Sequence, residues 1–268
     1  MKRLLVIGAG YLGDAILKVF REAGWEAQGA SLSGGGDLLS CDVGNAASVN
    51  ALPDADAVVH CAASGRGGGE EAYRRVYLEG CRNLVNRFPV AKLIYTSSSS
   101  VYGQKNGETV TEESETKPDR ETGRILLAAE DEVLRAGGAV VRLAGLYGPG
   151  RSVLKRKFLE GEAVIEEDGR RFINQIHRDD AARAVLHLVS MGHFPNGEIF
   201  NVSDSETMTQ KGVYEGMARI FGKELPPTGP RDLNRKRGWT HKSVSNVKLR
   251  ETGWEPVYPS FLDAVAGV

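Results

Sequence analysis

An apolar run, Leu4-Leu5-Val6-Ile7, passes without a gap into Gly8-Ala9-Gly10-Tyr11-Leu12-Gly13, and Ile16, Leu17, Val19 and Phe20 then fall along one helical face. A buried parallel strand, a glycine turn and a helix make the first half of a βαβ unit. Gly24 stands where a helix stops. The three glycines of the motif differ in physical role. Gly8 permits the tight turn, Gly10 lets a pyrophosphate approach the backbone, and Gly13 lets helix and strand pack closely. The unpaired N–H groups at the helix start, around Tyr11 and Leu12, favour a phosphate there. In a chain with 33 glycines a GxGxxG also arises by chance. Its place between strand and helix is what points to a dinucleotide.

With 268 residues, 41% hydrophobic and 26% charged, the chain can bury a large core. A net charge of −1 offers no general attraction for nucleic acid or anionic membrane. No apolar run approaches the roughly 20 residues of a membrane span, and Met1-Lys2-Arg3 leads straight into the first strand, so no leader is expected. Cys41, Cys61 and Cys81 lack metal-ligand or CxxC spacing. An odd number of thiols on core-like segments suggests a reducing, cytoplasmic setting and no metal site.

Along the chain, Trp25–Ala30 reads as the second strand, Leu38–Val43 as a third, Ala46–Leu52 as a helix and Ala55–Cys61 as a buried strand. A low-complexity loop, Gly65–Gly69, precedes a long helical pattern from Glu70 to Phe88, and Ala91–Thr96 is the next strand. This alternation specifies an α/β fold, a Rossmann-type doubly wound parallel sheet, with ligands beyond the carboxyl ends of the strands. Cofactor contacts are therefore expected at the glycine loop, Ser31, Ser33, Asp42, Val43, Cys61, Ala62, Ala63 and Thr96, with Ala144, Gly145 and Leu146 at the end of a later strand, Ala139–Leu143. After the second strand there is no carboxylate to hold an unphosphorylated ribose, and Ser31 and Ser33 with Gly34-Gly35-Gly36 could bind a 2′-phosphate. NADP is preferred over NAD on this ground, although the same stretch also reads as a plain flexible connection.

Lys105–Asp119 reads as a polar surface loop and Arg120–Ala136 as a helix. Beyond about residue 150 a smaller lobe (151–268) is expected, interleaved with the last sheet strand near Glu198–Val202. It should hold a short basic helix (Val153–Leu159), a strand pair at Ala163–Glu166 and Arg171–Ile176, a helix from Asp179 to Met191 with Asp179 as its N-cap, and short helices and loops after that.

Taken together, the glycine motif, Leu78-Glu79-Gly80-Cys81-Arg82-Asn83-Leu84-Val85, Ile94–Gly103 (IYTSSSSVYG), Gly123–Glu130 (GRILLAAE), Val141–Arg151 (VRLAGLYGPGR) and His177–Ala182 resemble the extended and atypical short-chain dehydrogenase/reductases of the NAD-dependent epimerase/dehydratase group. The resemblance covers roughly residues 1 to 205. It implies a small-molecule substrate bearing a hydroxyl or carbonyl, a nucleotide sugar among them, and a homodimer as a common assembly. It also implies a catalytic Ser, Tyr and Lys. Only the serine is matched, as Ser98; Thr122 stands at the Tyr position, Leu126 at the Lys position, and Tyr77 replaces the fourth-helix Asn. A threonine hydroxyl has no accessible pKa near neutrality and cannot stand in for a lysine-tuned phenol.

Among the tyrosines near strand ends, Tyr77, Tyr102 and Tyr147, Tyr77 is the candidate proton carrier, with packing as its plainer role. By resemblance, Ser98, Tyr102, Asn174, Gln175 and Arg178 line the substrate side. Arg151, with Lys155, Arg156 and Lys157, reads either as an anchor for an anionic substrate or as a solvated helix face. Two functions follow: an NAD(P)-dependent enzyme with an incomplete active-site tetrad, or a non-catalytic NADP-binding sensor or regulatory protein.

Overall fold

The computed structural model describes residues 1–65, 69–232 and 239–268. Three of the residues in the expected Gly65–Gly69 loop, 66–68, lie outside that set. Seven strands, β1 (Arg3–Ile7), β2 (Glu26–Ser31), β3 (Leu39–Ser40), β4 (Ala57–His60), β5 (Lys92–Ser98), β6 (Ala139–Leu143) and β7 (Ile199–Val202), form one sheet in the order β7-β6-β5-β4-β1-β2-β3. All six pairings are parallel. The order reverses between β1 and β4, which is where a doubly wound sheet opens a crevice.

The pleat sends neighbouring side chains of one strand to opposite faces. Leu4 and Val6 of β1 join one core with α1 (Tyr11–Glu22), and Leu5 and Ile7 join the other. Between β2 and β5 lie α2 (Ala46–Asn50) and a long helical stretch: α3 (Glu70–Tyr73), a π-helical turn (Arg74–Glu79) and α4 (Gly80–Arg87). These cover the second face together with α5 (Glu121–Arg135). The first face is closed by α7 (Arg178–Ser190), which brings Ala181, Val185, Leu188 and Val189 onto α1; a shorter helix, α6 (Val153–Leu159), precedes it. A third apolar cluster, built around Tyr147, Phe158, Met217 and Phe261, forms the smaller lobe with α8 (Gln210–Phe221).

Several local expectations give way to longer-range partners. The third strand shrinks to two residues because only Ala30 and Ser31 lie opposite it. The polar stretch after Lys105 contains a strand, Glu108–Val110, paired in parallel with Lys242–Val244. The segments expected to pair around residues 163–176 do not pair with each other: Ile165–Glu166 joins Thr228–Gly229, Phe172–Ile173 joins Met208–Thr209, and Gln175–His177 joins Gly145–Tyr147. Asp179 is inside α7 and not its N-cap. His177 holds that position, its Nδ1 accepting from the Asp179 N–H at 3.2 Å, which leaves Asp179 and Asp180 as first-turn acids facing the positive helix end. The lobe is also more regular than expected, since α8 runs for 12 residues.

Candidate functional site

A cleft of about 630 Å³ runs along the carboxyl ends of the strands. Its floor begins at the glycine loop. A Cβ on Gly8 (φ +101°) would lie 2.3 Å from the Ala62 nitrogen, so only glycine lets β1 turn this close to the end of β4. A Cβ on Gly13 would strike the Gly8 carbonyl oxygen at 2.2 Å, whereas one on Gly10 would meet nothing within 4 Å. Gly10 is the N-cap of α1 and no side chain caps the helix. Its first amides are left for a ligand. These features fit a dinucleotide: a bare helix start, an open approach at Gly10, and Gly13 buried for packing.

Most of the predicted cofactor residues come together here. Gly8, Gly10, Tyr11, Leu12, Ser31, Asp42, Val43, Cys61, Ala62, Ala63, Thr96, Ala144 and Leu146 all line the cleft. Ser33 and Gly145 do not, and Gly13 supports it from behind. Ser31 accepts the Gly34 N–H at 3.1 Å. Asp42 pairs with Arg75 from the π turn. Cys61 donates to the Gly8 carbonyl at 3.2 Å, and burial pushes its thiol up to about 12, so it works as a neutral donor holding the loop.

At the other end, Ser98, Tyr77, Thr122 and Tyr102 also reach the cleft, while Arg151 lines it beside Tyr11 of the glycine loop. The Ser98 hydroxyl oxygen accepts the Ser100 N–H at 3.2 Å, which leaves its own O–H to donate. Behind it lies a buried network. Ser97 hydrogen-bonds Glu130; Glu130 takes the Arg142 guanidinium in a two-oxygen pair (2.6 to 3.2 Å); Arg142 donates to the Tyr102 hydroxyl at 2.9 Å; and Tyr102 donates to Asn201 at 2.9 Å. Tyr102 therefore borders the cleft while its hydroxyl is engaged behind the wall. The network links β5, α5, β6 and β7, and so sets where Ser98 stands.

Tyr77 owes its position to a break in the helical ladder. His60, fully buried, has Nε2 at 3.0 Å from the Val76 carbonyl. Burial pulls its pKa down to about 4, so the ring is neutral and Nε2–H donates. With Val76 engaged, the Gly80 N–H reaches back to Arg75, and the helix widens into the π turn. Gly80 has no side chain to foul the imidazole; a Cβ there would sit 3.2 Å from Nε2. The result places Tyr73 and Tyr77, rings 4.9 Å apart, on the cleft wall.

The remaining predicted substrate residues serve the lobe. Asn174 donates to the Lys242 carbonyl (2.8 Å) and accepts the Val244 N–H (2.7 Å), stitching in the Lys242–Val244 strand. Gln175 donates to the Asn174 carbonyl, and Arg178 is held by Asp179 at 2.9 Å. None of the three lines the cleft. Tyr147 is buried against Phe261 and His177. Sequence reasoning missed Tyr73, Arg75 and Thr240, which line the cleft through contacts with no local signature. Among the described residues no group of His, Cys, Asp or Glu could hold a metal ion, and no helix is long and apolar enough to cross a membrane.

The sheet order, the glycine turn at its switch point and the cleft above it define a Rossmann-type dinucleotide-binding protein. A model of the NAD dependent epimerase/dehydratase family matches residues 4–203, and the chain belongs to that family. It is 30% identical over 97% of its length to Protein YeeZ of Escherichia coli K12, of which it covers 97%. It is 28% identical to methionine adenosyltransferase 2 subunit beta of Xenopus laevis, over 94% of this chain and 87% of that one. Among solved structures, the fold resembles UDP-glucuronic acid 4-epimerase from Bacillus cereus in complex with UDP-glucuronic acid and NAD. The TM-score is 0.82 at 20% identity, with 98% and 96% of the two chains covered.

Proposed function

We propose that the cleft binds NADP in preference to NAD, and that the chain is an NAD(P)-dependent enzyme of the epimerase, dehydratase or reductase kind acting on a hydroxyl or carbonyl, with nucleotide sugars as the substrate class. The observation that carries this reading is the sharing of one cleft by the glycine loop, Ser98 and Tyr77. The dinucleotide, when bound, supplies hydride transfer. Gly8 to Leu12 hold its phosphates. Ser98, with its O–H left to donate, binds the reacting oxygen. Tyr77, in the same cleft, gives or takes the proton at that oxygen, directly or through water. The small residues Ala62 and Ala63 leave room for the ring of a cofactor across the strand ends. NADP preference rests on the lack of a carboxylate in the Ser31–Gly36 stretch, where Asp or Glu would repel a 2′-phosphate.

A second reading is supported by Thr122 and Leu126, which line the cleft without a titratable group near neutrality. The chain would then bind NADP as a sensor or regulatory partner, and one of its relatives is named as a subunit of another enzyme.

One set of measurements separates the readings. NADPH oxidation is followed over a panel of carbonyl and nucleotide-sugar substrates for wild type, Ser98→Ala and Tyr77→Phe, with NADP and NAD titrated calorimetrically. The enzyme reading expects turnover that falls roughly 100-fold or more in each variant, since positioned acid–base groups are worth about that. Tight NADP binding with no turnover across the panel supports the regulatory reading. Tighter NAD binding overturns the cofactor preference.

A further inference from the structure

Arg151, which the sequence offers either as an anchor for an anionic substrate or as part of a solvated helix face, stands beside Tyr11 of the glycine loop. Its guanidinium lies 5.1 Å from the centroid of the Tyr11 ring, and Arg178 lies 5.0 Å from the same ring. Tyr11 is the first residue of α1, so a group seated on its ring sits at the uncapped helix start. The two arginines differ in charge balance. Arg178 is neutralised by Asp179, while Arg151 pairs with no carboxylate among the described residues. Arg151 lines the cleft and Arg178 does not.

The seat itself is built. The Tyr11 hydroxyl is buried, without a hydrogen-bond partner among the described residues. It lies under Gly148, where a Cβ would come within 2.8 Å of it at φ +149°. Gly148 and Arg151 close a tight turn by exchanging backbone hydrogen bonds of 3.0 and 2.9 Å. The turn therefore packs on the Tyr11 ring and delivers Arg151 to the cleft side. A tyrosine with two guanidinium groups against its ring acts here as a platform for cation–π contact. Arg151 is exposed, and its guanidinium keeps a hydrogen-bonding fork for a planar or tetrahedral oxyanion.

We propose that Arg151 is a clamp on the cofactor's pyrophosphate, closing over it from the lobe while the amides of Tyr11 and Leu12 hold it from the helix side. This rests on the dinucleotide reading of the cleft. One positive charge without a carboxylate partner, added to the partial charge of a helix N-terminus, suits the two negative charges of a pyrophosphate bridge. The clamp also ties the Gly148–Arg151 turn, and α6 after it, to cofactor occupancy.

Calorimetric titrations of wild type, Arg151→Met, Arg151→Lys and Tyr11→Leu with NADP, ADP-ribose and adenosine test the clamp. For Arg151→Met the expected result is a loss of about tenfold or more in affinity for NADP and ADP-ribose, with adenosine unchanged, as for loss of one charge-assisted hydrogen bond. Arg151→Lys should recover part of it, and Tyr11→Leu should lose less than Arg151→Met because the charge stays but its seat is gone. Wild-type affinity for NADP and ADP-ribose in Arg151→Met overturns the clamp alone. So does an equal loss for adenosine, which would signal general damage to the site. Failure of the wild type to bind any dinucleotide overturns the cofactor reading, and the clamp with it.

Discussion

At the scale of single residues, burial decides what each polar side chain can do. Asp204 is 6% exposed, and its Oδ1 has no hydrogen-bond partner among the described residues. Burial, with the charges of Asp180 and Asp263 added, raises its pKa from 3.8 to about 8. An acid whose folded pKa is raised binds more protons in the native state, so the stability it allows is full below about pH 4 and falls as pH rises toward 8. Asp204→Asn removes the ionisation. Relative to wild type, the variant should gain more than about 1 kcal/mol between pH 5 and pH 8.5 in urea denaturation; parallel stability curves would refute this. The placement of Ser98 and the glycine loop along one cleft is legible in the sequence, because it depends on strand ends and adjacent residues. Asp204 is not, because its surroundings come from Asp180 and Asp263 on other segments.

At the scale of elements, Gly10 and Gly13 of the same loop have separable roles. Gly13→Ala forces a Cβ against the Gly8 carbonyl at 2.2 Å and pushes α1 off β1. It should lower stability by about 1–3 kcal/mol, the usual penalty of overpacking, in a chemical denaturation experiment. Gly10→Ala meets nothing within 4 Å among the described residues. It should leave stability within about 1 kcal/mol and weaken NADP binding instead, because the new methyl occupies the space above the helix start. Equal effects of the two substitutions on stability would refute the division. The pattern from Glu70 to Phe88 is helical in sequence and in structure. Its π turn has no local signature, since it depends on His60, whose position opposite Val76 only the packed sheet supplies.

At the scale of the molecule, the segments on either side of residue 150 share a core. Both β7 and α7 come from the later segment, yet β7 pairs with β6, and α7 closes the core over α1. Residues 1–150 alone would leave α1 and one face of the sheet exposed, where Ala181, Val185, Leu188 and Val189 are now fully buried. Such a fragment should lack a cooperative thermal transition and bind apolar dyes, whereas the full chain should unfold cooperatively. A cooperative, NADP-binding fragment would refute this.

The sequence by itself determined the parallel sheet, the edge at which the cleft opens, and the tight turn and close packing that require Gly8 and Gly13. These follow from apolar period, chain order and steric need, all of which act over a few neighbouring residues. Tertiary structure alone decided that Asn174 stitches the lobe, that Tyr102 turns its hydroxyl to Arg142, that His60 opens the π turn under Tyr77, and that Arg151 rests on Tyr11. Each joins groups far apart in the chain, and such contacts are set by register, burial and space, which no local pattern encodes.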